Sequence, residues 1–215
     1  MKHSIFLLLL TLILSASCDH PKTEYWPNGN KKSEITIIHD QYHGPASYWY
    51  EDGTIQMECT YKNNVPDGIL TRFYNSGKRK ESCSYSEGKL NGPSKTWDPT
   101  GNIESISNYT HGKLNGFYHE YYPNGIIKVE GQYVNGDYDG IWLYYDGSGA
   151  IIGEGRFDKG NGIQKAYYDN GKMKLITRYH NNQKEGEEIS YNPDGSVDFI
   201  SRYSNGKLLE KRNKE

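Results

Sequence analysis

The sequence predicts an all-β fold: an elongated, single-layer antiparallel β-meander of about eight β-hairpin repeats, each 24 residues long. Glycines recur at a fixed interval, and Asn-Gly and Asp-Gly pairs, which favour tight hairpin turns, fall between short alternating segments. The composition agrees, since 34% hydrophobic residues are few for a large closed core. Yet 13% aromatic residues are too many for a disordered chain.

Two glycine series define the repeat. The first series comprises Gly29, Gly53, Gly77, Gly101, Gly125, Gly149, Gly171 and Gly195. The second comprises Gly44, Gly68, Gly92, Gly116, Gly140, Gly162 and Gly186. Both advance by 24 residues except for one interval of 22, which we place between Phe157 and Gly162 as a turn that has lost two residues.

Each repeat carries two different turns. Tyr122-Pro123-Asn124-Gly125 shows the first, a type I turn with a bulge in which glycine takes the left-handed position. The second turn needs a residue that accepts positive φ, and only Gly, Asn or Asp occurs there. Those residues are Asp40, Asn64, Gly88, Gly112, Gly136, Gly160, Asn182 and Gly206.

The turn register pairs Tyr74 with Lys78 and Phe73 with Arg79, and strict alternation then assigns side chains to two faces. We expect one face to collect two aromatic columns, one running from Tyr25 to Tyr191 and the other from Tyr61 to Tyr203. A column of small residues, from Cys59 to Ser201, joins them. The other face is expected to be polar, with an arginine ladder of Arg156, Arg178 and Arg202 beside Glu130 and Glu154.

The repeat resembles the bacterial variant of the MORN repeat. The best copy runs from Tyr121-Tyr122-Pro123-Asn124-Gly125 to Gln132-Tyr133-Val134-Asn135-Gly136-Asp137-Tyr138-Asp139-Gly140, and the resemblance covers roughly residues 24–206. It implies a single-layer antiparallel sheet that acts as a scaffold or binding surface. Bacterial proteins of this type often carry the label of YwqK-type antitoxins, which implies a partner toxin.

The first residues are predicted to direct export. Lys2 precedes an apolar stretch from Ile5 to Leu14, which is too short to span a bilayer. Ser15-Ala16-Ser17-Cys18 then resembles a bacterial lipoprotein signal, which implies lipidation at Cys18, although Ser15 stands where such signals usually carry an aliphatic residue. A plain secretory signal is the alternative. We therefore divide the chain into a signal peptide (1–17), a lipidated cysteine and tether (18–23), a repeat array (24–207) and a charged tail (208–215).

Catalytic and metal-binding chemistry is not expected. The histidines of the repeat array lie at turns or in strand columns without a patterned set of other ligands. Cys59 and Cys83 fall in the same column one repeat apart, about 9–10 Å, which is too far for a disulfide. We expect them to be free and buried, and we expect neither an enzyme activity nor a cofactor.

The function predicted is that of a binding or scaffold module anchored in a bacterial cell envelope by its lipid, facing the periplasm or the surface. A net charge of −2 disfavours nucleic acid as the ligand. The expected partner is another protein, with antitoxin activity or glycan binding as alternatives. The candidate contact residues form the first aromatic column: Trp49, Phe73, Trp97, Tyr121, Tyr145, Tyr167 and Tyr191.

Overall fold

A computed structural model describes residues 21–213, and these form one twenty-stranded antiparallel sheet. The strands are Pro21–Tyr25 (β1), Lys31–Ile38 (β2), Gln41–Trp49 (β3), Ile55–Lys62 (β4), Val65–Pro66 (β5), Gly68–Phe73 (β6), Arg79–Ser86 (β7), Lys89–Trp97 (β8), Ile103–Thr110 (β9), Lys113–Leu114 (β10), Gly116–Tyr121 (β11), Ile127–Val134 (β12), Asp137–Tyr145 (β13), Ile151–Asp158 (β14), Asn161–Tyr167 (β15), Met173–His180 (β16), Gln183–Lys184 (β17), Gly186–Tyr191 (β18), Val197–Ser204 (β19) and Lys207–Asn213 (β20). Within this range no helix could cross a membrane.

Each strand pairs with its neighbours in the chain, so the sheet is a meander. Strand β7 pairs with β6 on one side and with β8 on the other, and the same pattern repeats along the array. The two-residue strands β5, β10 and β17 are the short arms that precede Gly68, Gly116 and Gly186. The predicted fold class is therefore confirmed.

The register next to the tight turn is also as predicted. The Tyr74 N–H donates to Lys78 O at 2.8 Å, and Phe73 lies opposite Arg79. Gly77 closes the turn at φ +80° and donates its N–H to Tyr74 O at 2.9 Å. A side chain at this positive φ would be strained, which explains why the series of turn glycines has no exception.

One residue later, every hairpin contains a bulge. Arg72 pairs with Glu81 whereas Phe73 pairs with Arg79, so Lys80 is an extra residue on its strand. The same irregularity follows all eight tight turns. The bulged residues are Lys32, Gln56, Lys80, Glu104, Lys128, Ile152, Lys174 and Asp198.

The bulge reverses the predicted grouping of columns. The prediction that the Trp49 column shares a face with the Cys59 column is wrong, because the extra residue shifts the register by one and reverses the alternation. Cys59 lies opposite Ala46 instead, and Trp49 points to the other side. We call the side of Ala46 and Cys59 the inner face and the side of Trp49 the outer face.

The inner face holds the core. Opposite the small column stands a column that the sequence interpretation missed: Ala46, Leu70, Ser94, Tyr118, Trp142, Gln164 and Glu188. In the N-terminal repeats Ile35, Ala46, Cys59, Leu70 and Cys83 are buried together. Cys59 and Cys83 are free and buried, as predicted.

In the central repeats the core is aromatic. Trp142 is only 2% exposed, and its ring meets those of Tyr133 at 4.9 Å and Tyr138 at 4.8 Å edge to face. The indole covers Gly131 so closely that a Cβ there would lie 2.2 Å from Trp142 Cδ2. Glycine is therefore needed at position 131 for space, although its φ is not positive.

The second turn is a two-residue type I′ turn. Asn135 (φ +53°) and Gly136 (φ +97°) both adopt positive φ, and the equivalent pairs do so in all repeats. The sequence identified only the second of these positions. After the turn the strand takes two extra residues before regular pairing resumes, because Ile37 faces Tyr42 while Ile35 faces Ala46.

The 22-residue repeat lacks these two extra residues. Phe157 pairs with Gly162 and Arg156 with Ile163 without any irregularity, while Lys159 and Gly160 keep their positive φ. The deletion predicted in a turn has therefore removed a bulge and left the turn intact. Close to this short repeat, Asn182 contacts the type I′ turn two repeats earlier. Its Oδ1 accepts a hydrogen bond from the Tyr138 N–H at 2.9 Å.

Hydrogen bonds join the type I′ turns of successive repeats. The Gly88 N–H donates to Pro66 O at 2.9 Å, and the Glu87 N–H donates to the Asp67 carboxylate at 3.2 Å. Backbone bonds of the first kind also start from Asn64, Gly112, Gly136, Gly160, Asn182 and Gly206. Side-chain acceptors of the second kind are Asn91, Asn115, Asp139, Asn161 and Glu185. One edge of the array is thus bonded from repeat to repeat.

The opposite edge is joined through aromatic side chains at the tight turns. The Tyr74 hydroxyl donates to Trp97 O at 2.8 Å, one repeat further on. Trp26, Tyr50, Tyr122 and Tyr168 make the same contact to the next repeat. The bulged lysine of the same hairpin lies over the ring, with Lys80 Nζ 5.6 Å from the centroid of Tyr74.

The last strand extends the array beyond its predicted end. Residues from Lys207 to Asn213, most of which we assigned to a charged tail, form β20 and pair with β19. At the other end β1 begins at Pro21, inside the predicted tether. Charged residues dominate β20 and all of it is exposed, which is typical of an edge strand protected from further pairing.

We expect Tyr74→Phe to lower the free energy of unfolding by about 1 kcal/mol, because it removes one inter-repeat hydrogen bond and keeps the ring. Urea denaturation measures the change. Tyr121→Phe is the matched control, since the Tyr121 hydroxyl makes no hydrogen bond to residues 21–213. Equal stabilities of the two variants would contradict the role assigned to the turn tyrosines.

We expect Gly131→Ala to destabilise the protein by roughly 1–3 kcal/mol, because the methyl group collides with the buried indole of Trp142. Gly147→Ala is the control, because a Cβ at Gly147 has nothing within 4 Å. Thermal unfolding of both variants compares them. Adding Trp142→Ala should make the Gly131 substitution nearly neutral, and full additivity of the two changes would refute the steric explanation.

Candidate functional site

The first aromatic column lies along the outer face, one residue per hairpin. Each member ends the first strand of its hairpin, immediately before the tight turn. All seven predicted contact residues, from Trp49 to Tyr191, are half-buried. The structure therefore brings them into one column, but on the face opposite to the core.

Apolar side chains stand across from these rings. Trp97 pairs with Ile103, and only Phe73 faces a charged residue, Arg79. The other apolar pairs are Trp49 with Ile55, Tyr121 with Ile127, Tyr145 with Ile151, Tyr167 with Met173 and Tyr191 with Val197. The face opposite the core is therefore much less polar than we predicted when we assumed strict alternation of side chains from the tight turn.

A second apolar column, missed in the sequence, completes this surface. Each member is the residue directly after a glycine of the second series. The members are Pro45, Ile69, Pro93, Phe117, Ile141 and Ile163. Ile69 is 65% exposed, Phe117 66%, Ile141 54% and Ile163 41%. An apolar residue after six of these seven glycines was the available signal, since only Gly186 is followed by a charged residue, Glu187. We call this column the outer stripe.

A groove of about 470 Å³ lies between the outer stripe and the aromatic column. Its walls include Phe117 and Ile141 of the stripe together with His119, Glu130 and Leu143. The His119 ring stands 6.3 Å from that of Tyr121, which joins the groove to the aromatic column. Apolar walls with a few polar groups are typical of surfaces that bind ligands.

Glutamates fix the tyrosines of this face. The Tyr145 hydroxyl donates to Glu130 Oε1 at 2.5 Å, and this hydrogen bond to a carboxylate raises the pKa of Tyr145 to about 12. The Tyr167 hydroxyl donates to Glu154 at 3.4 Å, and burial raises the pKa of Tyr167. Both hydroxyls therefore stay protonated at neutral pH and orient their rings along the sheet.

The arginine ladder lies opposite the small column, as predicted, but it shares the outer face with the Trp49 column, contrary to the prediction, and it is only weakly paired. Arg156 Nη2 lies 3.8 Å from Glu154, and Glu130 is engaged instead by Tyr145 and by His119, at 3.8 Å. Arg178 and Arg202 are exposed and form no ion pair with any residue in the described range. The expected pairing with the glutamate column is thus mostly absent.

The second aromatic column lies on the inner face, where each ring stands opposite a glycine. Tyr85 pairs with Gly68, and Tyr133 with Gly116. Burial raises the pKa of both hydroxyls. Only one of the two aromatic columns therefore contributes to the outer surface, and the other serves the core.

Three tight turns carry Asp98, Asp146 or Asn192 where the other five carry a ring, and the first of them borders an acidic cleft. At this turn Glu104 occupies the bulge in place of a lysine. Asp98, Glu104 and Glu120 line a space of about 470 Å³. Asp98 is held by the Thr100 hydroxyl and by backbone N–H groups, which lower its pKa to about 2.

No metal site is apparent in the part of the chain that the structure describes. Residues 21–213 contain no group of three His, Cys, Asp or Glu side chains arranged to hold a metal ion. His43 Nδ1 instead lies 3.3 Å from the side-chain oxygen of Asn63, at the type I′ turn edge. The predicted signal peptide and Cys18 lie outside the described residues.

Comparison with known proteins identifies the repeat. Residues 42–63, 66–87, 90–111, 118–135 and 161–181 match the family described as "MORN repeat variant". No curated protein matches the chain. A solved structure titled "Crystal Structure of TcdB2-TccC3-TEV" is similar at 11% identity and a TM-score of 0.20, over 86% of this chain and 13% of that chain. The five matched segments lie within the repeats of the sheet, and the chain therefore contains MORN-variant repeats.

Proposed function

We propose that this chain is an exported bacterial lipoprotein whose repeat array binds another protein on its outer face. The observation that carries this proposal is the outer stripe, in which Phe117 and Ile69 keep about two thirds of their surface exposed. Soluble monomers seldom leave long apolar columns uncovered. The adjacent aromatic column supplies the residue types that dominate binding hot spots.

The inner and outer faces contribute differently to the stability of the sheet, and this difference supports a binding role for the outer face. The inner face and the two turn edges carry the buried contacts and the inter-repeat hydrogen bonds. The outer stripe takes little part in them, so its exposed apolar side chains have no evident structural purpose. A repeat scaffold that presents one free face along its length suits binding of an extended partner.

A lipid anchor fits the start of the array. Only Asp19 and His20 separate Cys18 from Pro21, where the first strand begins. A lipidated Cys18 would therefore hold the first repeat close to the membrane, facing the periplasm or the cell surface. Neutralisation of a toxin would be a special case of the same protein-binding role, and stacking of glycans on the aromatic column is the competing use of that surface.

The anchor predicts that Cys18 carries lipid. Mass spectrometry of the protein from membranes of an expressing bacterium should show an N-terminus at Cys18 with added acyl mass. Cys18→Ser should move the protein to the soluble fraction, because a chain without acyl groups has no hydrophobic attachment. An unmodified N-terminus in soluble wild-type protein would contradict the anchor.

The binding surface predicts different outcomes for two tryptophans. We expect Trp97→Ala to weaken capture of the partner from the envelope fraction by about 2 kcal/mol or more, since Trp97 lies on the outer face. Trp142→Ala, a buried inner-face control, should instead lower stability by about 3–5 kcal/mol. Affinity and melting temperature are measured for both. Unchanged affinity of folded Trp97→Ala protein would refute binding through this column.

A further inference from the structure

The outer face changes character in the C-terminal half of the array, where aliphatic and cationic side chains alternate across neighbouring strands. Ile141 pairs with Arg156, Arg156 with Ile163, and Ile163 with Arg178. These four residues form one line across β13, β14, β15 and β16, and all four are exposed. We call them the Ile-Arg line.

The cations around this line are largely unneutralised. Arg178 forms no ion pair within residues 21–213, and the same holds for Lys165, which lies beside Arg156. Arg156 has only Glu154, at 3.8 Å, and its side chain stays 70% exposed. The line therefore combines apolar contact area with positive charge in a fixed order, although the whole chain carries a net charge of −2.

A groove lies at the centre of the line. Glu154, Arg156, Gly162, Ile163 and Lys165 enclose about 310 Å³. It occurs at the short repeat, where the strand pairs regularly and lacks the two extra residues found elsewhere. Regular pairing places Arg156 directly opposite Ile163, so the order of the line continues through three strand pairs.

We propose that the Ile-Arg line binds an acidic amphipathic α-helix of a partner protein, an inference that rests on the proposed protein-binding function. Neighbouring strands are about 4.8 Å apart, so members of the line follow one another at that step and like members recur at about 9–10 Å. On a helix, residues three or four apart lie about 5–6 Å apart, and residues seven apart about 10.5 Å. A helix lying across the strands matches both spacings.

The match fixes the pattern of the partner. An apolar side chain at position i contacts Ile141, and a carboxylate at i+3 or i+4 meets Arg156. An apolar side chain at i+7 contacts Ile163, and a carboxylate at i+10 or i+11 meets Arg178. An extended strand running the same way repeats each face at about 6.6–6.8 Å, which fits neither interval. The guanidinium group of arginine can donate two parallel hydrogen bonds to a carboxylate of such a helix.

A protein helix fits this surface better than an anionic bilayer does. Glu154 and Glu187 lie among the cations, and a uniform negative surface would repel them while a patterned helix avoids them. The line also starts at β13, far along the sheet from the first strand, which follows the proposed lipid anchor.

The test uses the repeat protein and three fluorescent 21-residue peptides built on alanine. The first carries Leu at i and i+7 and Glu at i+4 and i+11, the second replaces Glu with Lys, and the third moves Glu to the opposite helix face. Fluorescence anisotropy measures binding. We expect the acidic peptide to bind at least tenfold more tightly than either of the others, with an affinity that falls as salt rises.

Variants locate the site. Arg156→Glu with Arg178→Glu should weaken binding of the acidic peptide at least tenfold, and Arg178→Met should weaken it without adding repulsion. Arg79→Glu, an exposed outer-face arginine opposite Phe73, is the matched control and should change nothing. Circular dichroism of each variant confirms that the sheet is intact.

Three results would overturn the inference. They are equal affinity for the acidic and relocated peptides, no effect of the double charge reversal, and tighter binding to phosphatidylglycerol vesicles than to the peptide. None of these depends on the envelope partner. If Trp97→Ala still abolishes capture of that partner while the acidic peptide fails to bind, protein binding on the outer face stands and the helix inference alone is lost.

Discussion

The one-residue bulge after each tight turn is the constraint on which the sheet depends. A single-layer sheet has no second layer to bury its apolar side chains, so its inner columns must cover one another. The bulge at Lys80 places Leu70 opposite Cys83 and sends Phe73 to the other side. Without that extra residue, the large rings before the turn would crowd the small column. The bulge thus separates the residues that form the core from those that form the outer surface.

Bonds between repeats then convert eight marginal hairpins into one array. An isolated hairpin is scarcely stable in water. Here each type I′ turn after the first donates a backbone N–H group to the preceding repeat, and five tight turns donate a ring hydroxyl or indole N–H to the following one. Successive repeats are therefore joined along the whole edge of type I′ turns and at five places along the opposite edge. Stability of this kind is the sum of repeat and junction contributions, so a change in one turn should act mainly on its two neighbours.

The sequence was sufficient for the repeat period and for the register next to the tight turns. Glycine spacing predicted the period, positive-φ residues predicted the second turn, and the pairing of Phe73 with Arg79 was correct. The faces could not be predicted the same way, because strict alternation was assumed to continue past Lys80, and no residue type marks an extra position there. The outer stripe was missed for that reason. Ile69 is a strand residue beside Leu70, and only the register shows that the first is exposed and the second buried.

Departures from the repeat show which contacts depend on each other. A lysine occupies the bulge in four of the five hairpins whose tight turn carries a ring, as in Lys80 above Tyr74, and Gln56 takes its place beside Tyr50. Where the turn carries Asp98, the bulge carries Glu104, and the turn hydrogen-bonds to itself instead. The ring and the lysine thus occur together in four hairpins, and the three turns without a ring also lack the lysine. The outer stripe varies independently of this pair, because it takes no part in the junctions. The outer stripe and the arginines beside it can therefore be selected for a partner at little cost to the fold.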